Sequence, residues 1–164
     1  MITMHATIFQ LSKTPILKDE YFDSDSFNLE DYGRYNIDYI DNMDKEDRQK
    51  EIKEMGEMFP LKIFEVIDKK RIRFHDHLGE LKEMWVKALK ECAEKIDATS
   101  LFGEDSPEYS ITDLRNLMVN PFTFNLFTMD DEKLYSSADF LNNVLYNLKN
   151  GDILYVGNVL DYHI

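Results

Sequence analysis

Apolar and polar residues alternate at the start of the chain. Ile2, Met4, Ala6 and Ile8 fall on one side, Thr3, His5, Thr7 and Phe9 on the other. A period of two, carried by β-branched and aromatic types, predicts a strand over residues 2–11. Thr14-Pro15 then disfavours helix, because the proline ring crowds the backbone before it. Residues 13–44 lose the alternation and read as an irregular, acidic segment. Its aromatic residues (Tyr21, Phe22, Phe27, Tyr32, Tyr35, Tyr39) imply that it packs on something rather than being disordered.

Helical spacing begins near Asp44. Asp44 suits an N-cap, Asp47 lies three residues on, and Ile52, Met55 and Phe59 mark one side of a helix that Pro60 stops. Leu61–Ile67 and Arg71–His75 alternate around Asp68-Lys69-Lys70, which predicts a β-hairpin without a turn glycine. The clearest periodicity follows. Leu78, Leu81, Trp85, Leu89, Cys92 and Ile96 recur every three or four residues, predicting an amphipathic helix from His77 to Asp97.

Beyond a loop with Gly103 and Pro107, Ser110 and Asp113 have capping-box-like spacing for a short helix that carries Leu114, Leu117 and Met118. Phe122–Met129 reads as a strand. Ser136 and Asp139 repeat the capping spacing ahead of Phe140, Leu141, Val144, Leu145 and Leu148, with Asn150-Gly151 as the C-terminal cap. Asp152–Leu160 closes the pattern as a final strand. Strands and helices mix without strict alternation. The fold class predicted is α+β: one domain over 1–164, a mostly antiparallel sheet of about five strands, and three to four helices packed on it. A helix between the last two strands allows them to form one parallel βαβ unit.

Composition adds compartment and exclusions. The 164 residues include 32 acids and 19 bases, a net charge of −13, with 43% hydrophobic content. That much apolar surface demands a core, so a disordered acidic tail is excluded. The charge is uneven: residues 1–60 carry −7, residues 61–96 carry +2 and residues 97–164 carry −8. Such a surface repels phosphate, which argues against nucleic acid and against anionic membranes, and it suits a basic protein partner. One cysteine, Cys92, allows no internal disulfide. With no transmembrane-length apolar run and no signal-peptide pattern, the expected location is cytoplasmic.

Chemistry is sparsely signalled. His75-Asp76-His77, with His5 on another strand, is a candidate metal set, since histidines two apart on a strand share a side. The competing reading makes Asp76 a helix cap. Asp23, Asp25, Asn28 and Glu30 resemble a calcium loop, but Asn28 replaces the turn glycine and Arg34 the bidentate glutamate. Asp38, Asp41, Asp44 and Asp47 recur every three residues and form a candidate acidic binding face, or else serve helix starts and solubility. Cys92 sits on an apolar stripe, which suits a small packing residue rather than a nucleophile. No glycine-rich phosphate loop, dinucleotide fingerprint or nucleophile elbow is present, and no cofactor is expected. Two functional readings follow. The first is a non-enzymatic interaction module for a basic or mixed-charge protein, at most of the immunity or inhibitor type. The alternative is a metal-dependent hydrolase built on His5, His75 and His77.

Overall fold

The computed structural model describes residues 5–27, 37–97, 107–122, 125–131 and 133–163, with backbone alone for 107–110. Ile2, Thr3 and Met4, Asn28, Glu30, Tyr32, Arg34 and Tyr35, and Gly103 lie outside the described residues. Among the described residues, seven strands and four helices occur in the order β1 (His5–Ser12), β2 (Tyr39–Asn42), α1 (Lys45–Met58), β3 (Phe64–Asp68), β4 (Arg71–Phe74), α2 (Leu78–Glu94), α3 (Pro107–Val119), β5 (Leu126–Thr128), β6 (Leu134–Tyr135), α4 (Ser137–Asn143) and β7 (Ile153–His163). The strands make one sheet in the order β3-β4-β7-β1-β5-β6. The class is α+β and the sheet is mostly antiparallel; β1 with β5 is its parallel pair.

The eleven-residue β7 is the spine. One edge pairs with β1 from Tyr155 to His163. The other edge is shared: β4 takes Ile153–Tyr155 and β2 takes Leu160–His163. The parallel βαβ unit is therefore corrected. β1 stands between β5 and β7, and since β5 runs with β1 while β7 runs against it, β5 and β7 are antiparallel in sense.

A bulge sets which residues face which side. Phe9 pairs with Val159 but Leu11 pairs with Val156, so Gly157 and Asn158 oppose Gln10 alone. The extra residue shifts the phase of β7. Leu154 and Val156 precede the bulge, Val159 follows it, and all three face the main core with Phe9, Leu11 and Phe127. Helices α1 and α4 cover this side through Ile52, Met55, Phe140 and Leu141. The opposite side gathers Ala6, Ile8, Leu126, Leu160 and Tyr162, covered by Phe27, Ile37 and Ile40 from the segment read as irregular. Of its aromatics, Phe27 is buried, Tyr21 and Phe22 are half-buried and Tyr39 is exposed, and among the described residues β2 and two single 3-10 turns lie within the segment.

Polar bonds tie the bulge down. Arg48 of α1 donates through Nε to the Gly157 carbonyl (2.8 Å) and through Nη2 to the Val156 carbonyl (3.2 Å), both at the bulge. The Gln10 side chain accepts from the backbone N–H of Phe22 (3.1 Å) and of Asn158 (2.9 Å) and donates to the Glu20 carbonyl (2.9 Å). One buried amide thus stitches β1, the bulge and the following segment together.

Local signals came through well. Asp44 caps α1, accepting from Glu46 N–H (2.7 Å) and Asp47 N–H (2.9 Å). Ser136 accepts from Asp139 N–H (3.1 Å) at the start of α4. The hairpin turns without glycine because the Asp68 carboxylate accepts from Lys70 N–H (2.9 Å) and Arg71 Nε (2.8 Å). Three boundaries differ. α3 starts at Pro107, so Ser110 is inside it; proline's fixed φ suits a first turn. The strand expected at 122–129 is β5 among the described residues, with 123 and 124 outside them. Gly151 (φ 91°) serves a turn from Lys149 to Asp152, because the helix has already ended at Asn143.

Helix α2 holds the largest surprise. Its stripe is amphipathic as predicted, yet only Leu78 and Leu81 are buried. Trp85, Leu89, Cys92 and Ile96 are half-buried, covered by α3, where Trp85 Nε1 donates to the Leu117 carbonyl (2.9 Å). Beyond Leu81 the α2–α3 pair is an arm with no buried side chain among the described residues, although Trp85 still packs against the main core.

Candidate functional site

On the main-core side of the sheet, alternation carries the apolar rows to a polar end. Running outward from Phe9 on β1 the same side presents Thr7 and His5; outward from Val159 on β7 it presents Asp161 and His163. β2 adds Tyr39 opposite His163 and Asp41 opposite Asp161. Ile40 and Tyr162, one residue out of phase, belong to the other side. Three strand ends thereby converge six polar side chains.

Their geometry is close. His5 and His163 are direct cross-strand partners, with ring centroids 4.0 Å apart in an edge arrangement. Asp161 lies two residues before His163 on the same side. Its Oδ2 is 3.1 Å from His5 Nδ1 and 3.3 Å from His163 Nε2, so one oxygen serves both imidazoles. The Tyr39 ring rests edge-on against His163 at 5.3 Å, and its hydroxyl donates to Asp41 (3.0 Å). That bond to Asp41 is the main reason the Tyr39 hydroxyl holds its proton above the ordinary range. Asp38 N–H donates to the His163 carbonyl (3.0 Å) and fixes the end of β7.

Helix α1 passes over this side. Phe9, Glu51, Glu54, Met55, Met58 and Asn125 line a cleft of about 340 Å³ beneath it. The Thr7 hydroxyl and N–H both donate to Asn125 Oδ1, which joins the cleft to the polar end. Burial first, then Glu54, push the Glu51 carboxyl above its usual value, with Asp161 and Asp47 adding to the rise and Lys50 opposing it. A carboxyl that binds its proton more tightly when folded costs stability once ionised, fully so above its folded value, and nothing below its unfolded one. Glu51→Gln is therefore expected to raise the melting temperature at pH 7 and to leave it unchanged near pH 3, as scanning calorimetry at both values would check.

The residues singled out from the sequence divide. His5 belongs to the polar cluster. His75 and His77 do not. β4 pairs with the beginning of β7 (Arg73 opposite Ile153), whereas His5 pairs with its end. Those points are ten residues apart on β7, roughly 30 Å at a rise of about 3.3 Å per residue. His75 instead bonds Glu65 (3.1 Å). That bond first, then Arg73, holds the Glu65 carboxyl below its usual range. Asp76 accepts from Leu78 N–H at 3.3 Å, while the formal cap position of α2 falls to His77. Asp38, Asp41, Asp44 and Asp47 are all exposed, but they do not share a helix: only Asp47 lies within α1, and Asp44 caps it. Cys92 is half-buried on α2.

Asp161 and His163 lie just past Leu160, where the strand predicted from the sequence ends. A signal was present: Leu160-Asp161-Tyr162-His163 continues the alternation, with polar residues in phase with Val159. Among the described residues, the group of three or more metal-type donors lying within 4.8 Å of one another is His5, Asp161 and His163. No described helix is long and apolar enough to cross a membrane. The chain matches no protein-family model, no curated protein and no solved structure.

Proposed function

We propose that this protein is a non-enzymatic interaction module that binds a protein partner of basic or mixed charge. The observation that carries the reading is the α2–α3 arm. No described side chain of α2 beyond Leu81, or of α3, is buried, yet the arm displays Met84, Val86, Ile111, Met118 and Val119 to solvent. Five exposed apolar side chains on one helix pair suit a contact surface, whereas single ones scattered over the molecule would mean nothing. The strongly acidic segments on either side supply the electrostatic half of the argument. Asp38, Asp41, Asp44 and Asp47 all face solvent there, placed to steer a basic surface and to repel an acidic one.

Affinity capture on the immobilised protein, washed at about 0.05 M and about 0.5 M salt, tests this, because exposed charge pairs are screened within a Debye length of roughly 10 Å at 0.1 M. A stoichiometric protein of basic or mixed charge is expected at low salt and in lower yield at high salt. Met84→Glu with Met118→Glu should abolish its capture and leave the melting temperature within about 2 °C, since both side chains are exposed. Failure to retain any stoichiometric partner, or capture that the double variant does not weaken, removes the proposal.

A further inference from the structure

We propose that His5, Asp161 and His163 form a binding site for a divalent transition cation of the zinc class. The placement is dictated by backbone that the fold has other reasons to fix. His5 and His163 are paired by the β1–β7 register, and Asp161 joins them by the two-residue repeat of a strand. None of the three depends on a loop.

The spacing suits the ion. Zinc bonds of about 2.0–2.1 Å in a tetrahedron set neighbouring donors about 3.3–3.4 Å apart. Here Asp161 Oδ2 lies 3.1 Å from one imidazole nitrogen and 3.3 Å from the other. The same distances serve hydrogen bonds, so geometry admits both an ion and a proton at the centre. Donor chemistry selects the metal: two imidazole nitrogens and one carboxylate favour zinc, nickel, cobalt or copper, whereas calcium and magnesium take oxygen ligands.

The surroundings favour a cation whose charge does not depend on a proton. The ion-pair partners of Asp161 among the described residues are the two histidines, which are positive only when protonated. Asp41 faces Asp161 across β2, and the charge of Asp161 is felt at Glu51. Supporting contacts orient the ligands: the Tyr39 ring packs on His163, and Asp38 N–H holds the strand end. Side-chain exposures of 65% for His5, 26% for Asp161 and 24% for His163 leave an entry path.

The test uses untagged full-length protein, stripped with a chelator and titrated with zinc chloride by calorimetry and thermal shift. One zinc per chain with a raised melting temperature is expected. His5→Ala and Asp161→Asn should each weaken zinc binding at least tenfold while the metal-free variants melt like the metal-free wild type. His75→Gln with His77→Gln should bind like wild type. Because His5 is largely exposed, its variant decides the matter even if changes at Asp161 disturb folding. The proposal is overturned if wild type shows no saturable zinc site up to 100 μM, if His5→Ala binds zinc as tightly as wild type, or if calcium or magnesium binds as tightly as zinc.

Discussion

Phe127→Ala is expected to lower the unfolding free energy by about 3–5 kcal/mol, the range for deleting a fully buried ring. Phe127 is completely buried on the short strand β5. It stacks on Phe140 of α4 with ring centroids 4.1 Å apart and planes 14° from parallel. It also meets Phe9 of β1 at 5.8 Å and Phe59, just past α1, at 6.0 Å. One ring therefore joins the sheet to both helices that cover it. A domain of this size loses roughly 2–4 °C in melting temperature per kcal/mol, so a drop of roughly 6–20 °C follows. Phe127→Leu, which keeps most of the volume, should cost under half as much. Urea denaturation checks both: the midpoint should fall while the slope stays fixed. A loss below about 1 kcal/mol for the alanine would mean that the aromatic cluster is loosely packed.

Gln10→Ala is the second large expectation, at about 2–4 kcal/mol, and its cause is polar. The substitution leaves the N–H groups of Phe22 and Asn158 and the carbonyl of Glu20 without their partner. A fully buried orphan costs about 1–3 kcal/mol, and these three bonds are part-buried, so water relieves some of the cost of each. Gly157 makes the effect separable from simple loss of volume. A methyl group at that position would overlap the Gln10 side-chain oxygen and touch Ile16, and Gln10 is pinned by its three bonds. Gly157→Ala alone should thus be destabilising, but much less so once Gln10 is already alanine. The coupling in the double-variant cycle is expected at about 1–3 kcal/mol. Additive costs would show that the bulge holds its shape without the amide.

Both results rest on features of unequal visibility in the sequence. The α1 and α4 caps were legible because a cap is local: Asp44 and Ser136 need only the residues two or three further on. The β3–β4 hairpin and the stripe of α2 were legible by periodicity for the same reason. The stripe, however, states that a helix has two unlike faces and not what covers the apolar one, so the incomplete burial of Leu89 and Ile96 could not be anticipated. Strand neighbours are a global property. The βαβ reading failed because nothing local says that β1, over a hundred residues earlier, inserts between β5 and β7.

The polar cluster was half visible for a related reason. His5 is visible in the sequence as a ligand type, and the sequence pattern groups it with His75 and His77, whereas strand pairing joins it to His163, at the other end of the described residues. The bulge compounded this. Gly157-Asn158 interrupts the alternation of β7, which makes Asp161 and His163 look like a tail rather than the strand's continuation. β2 was invisible because its four residues contribute one buried side chain, Ile40, too few to show a period.

The central position of β7 also governs when the molecule is able to fold. On a ribosome this strand emerges after the other six, so β2 has no partner and β1 and β4 each keep an open edge until its last residues are free. Closing contacts between His5 and His163 spans nearly the whole chain, a topology that places folding toward the slow, millisecond-to-second end of small domains. Until then the exposed strand edges and their apolar side chains are what a chaperone, or another nascent copy, encounters first.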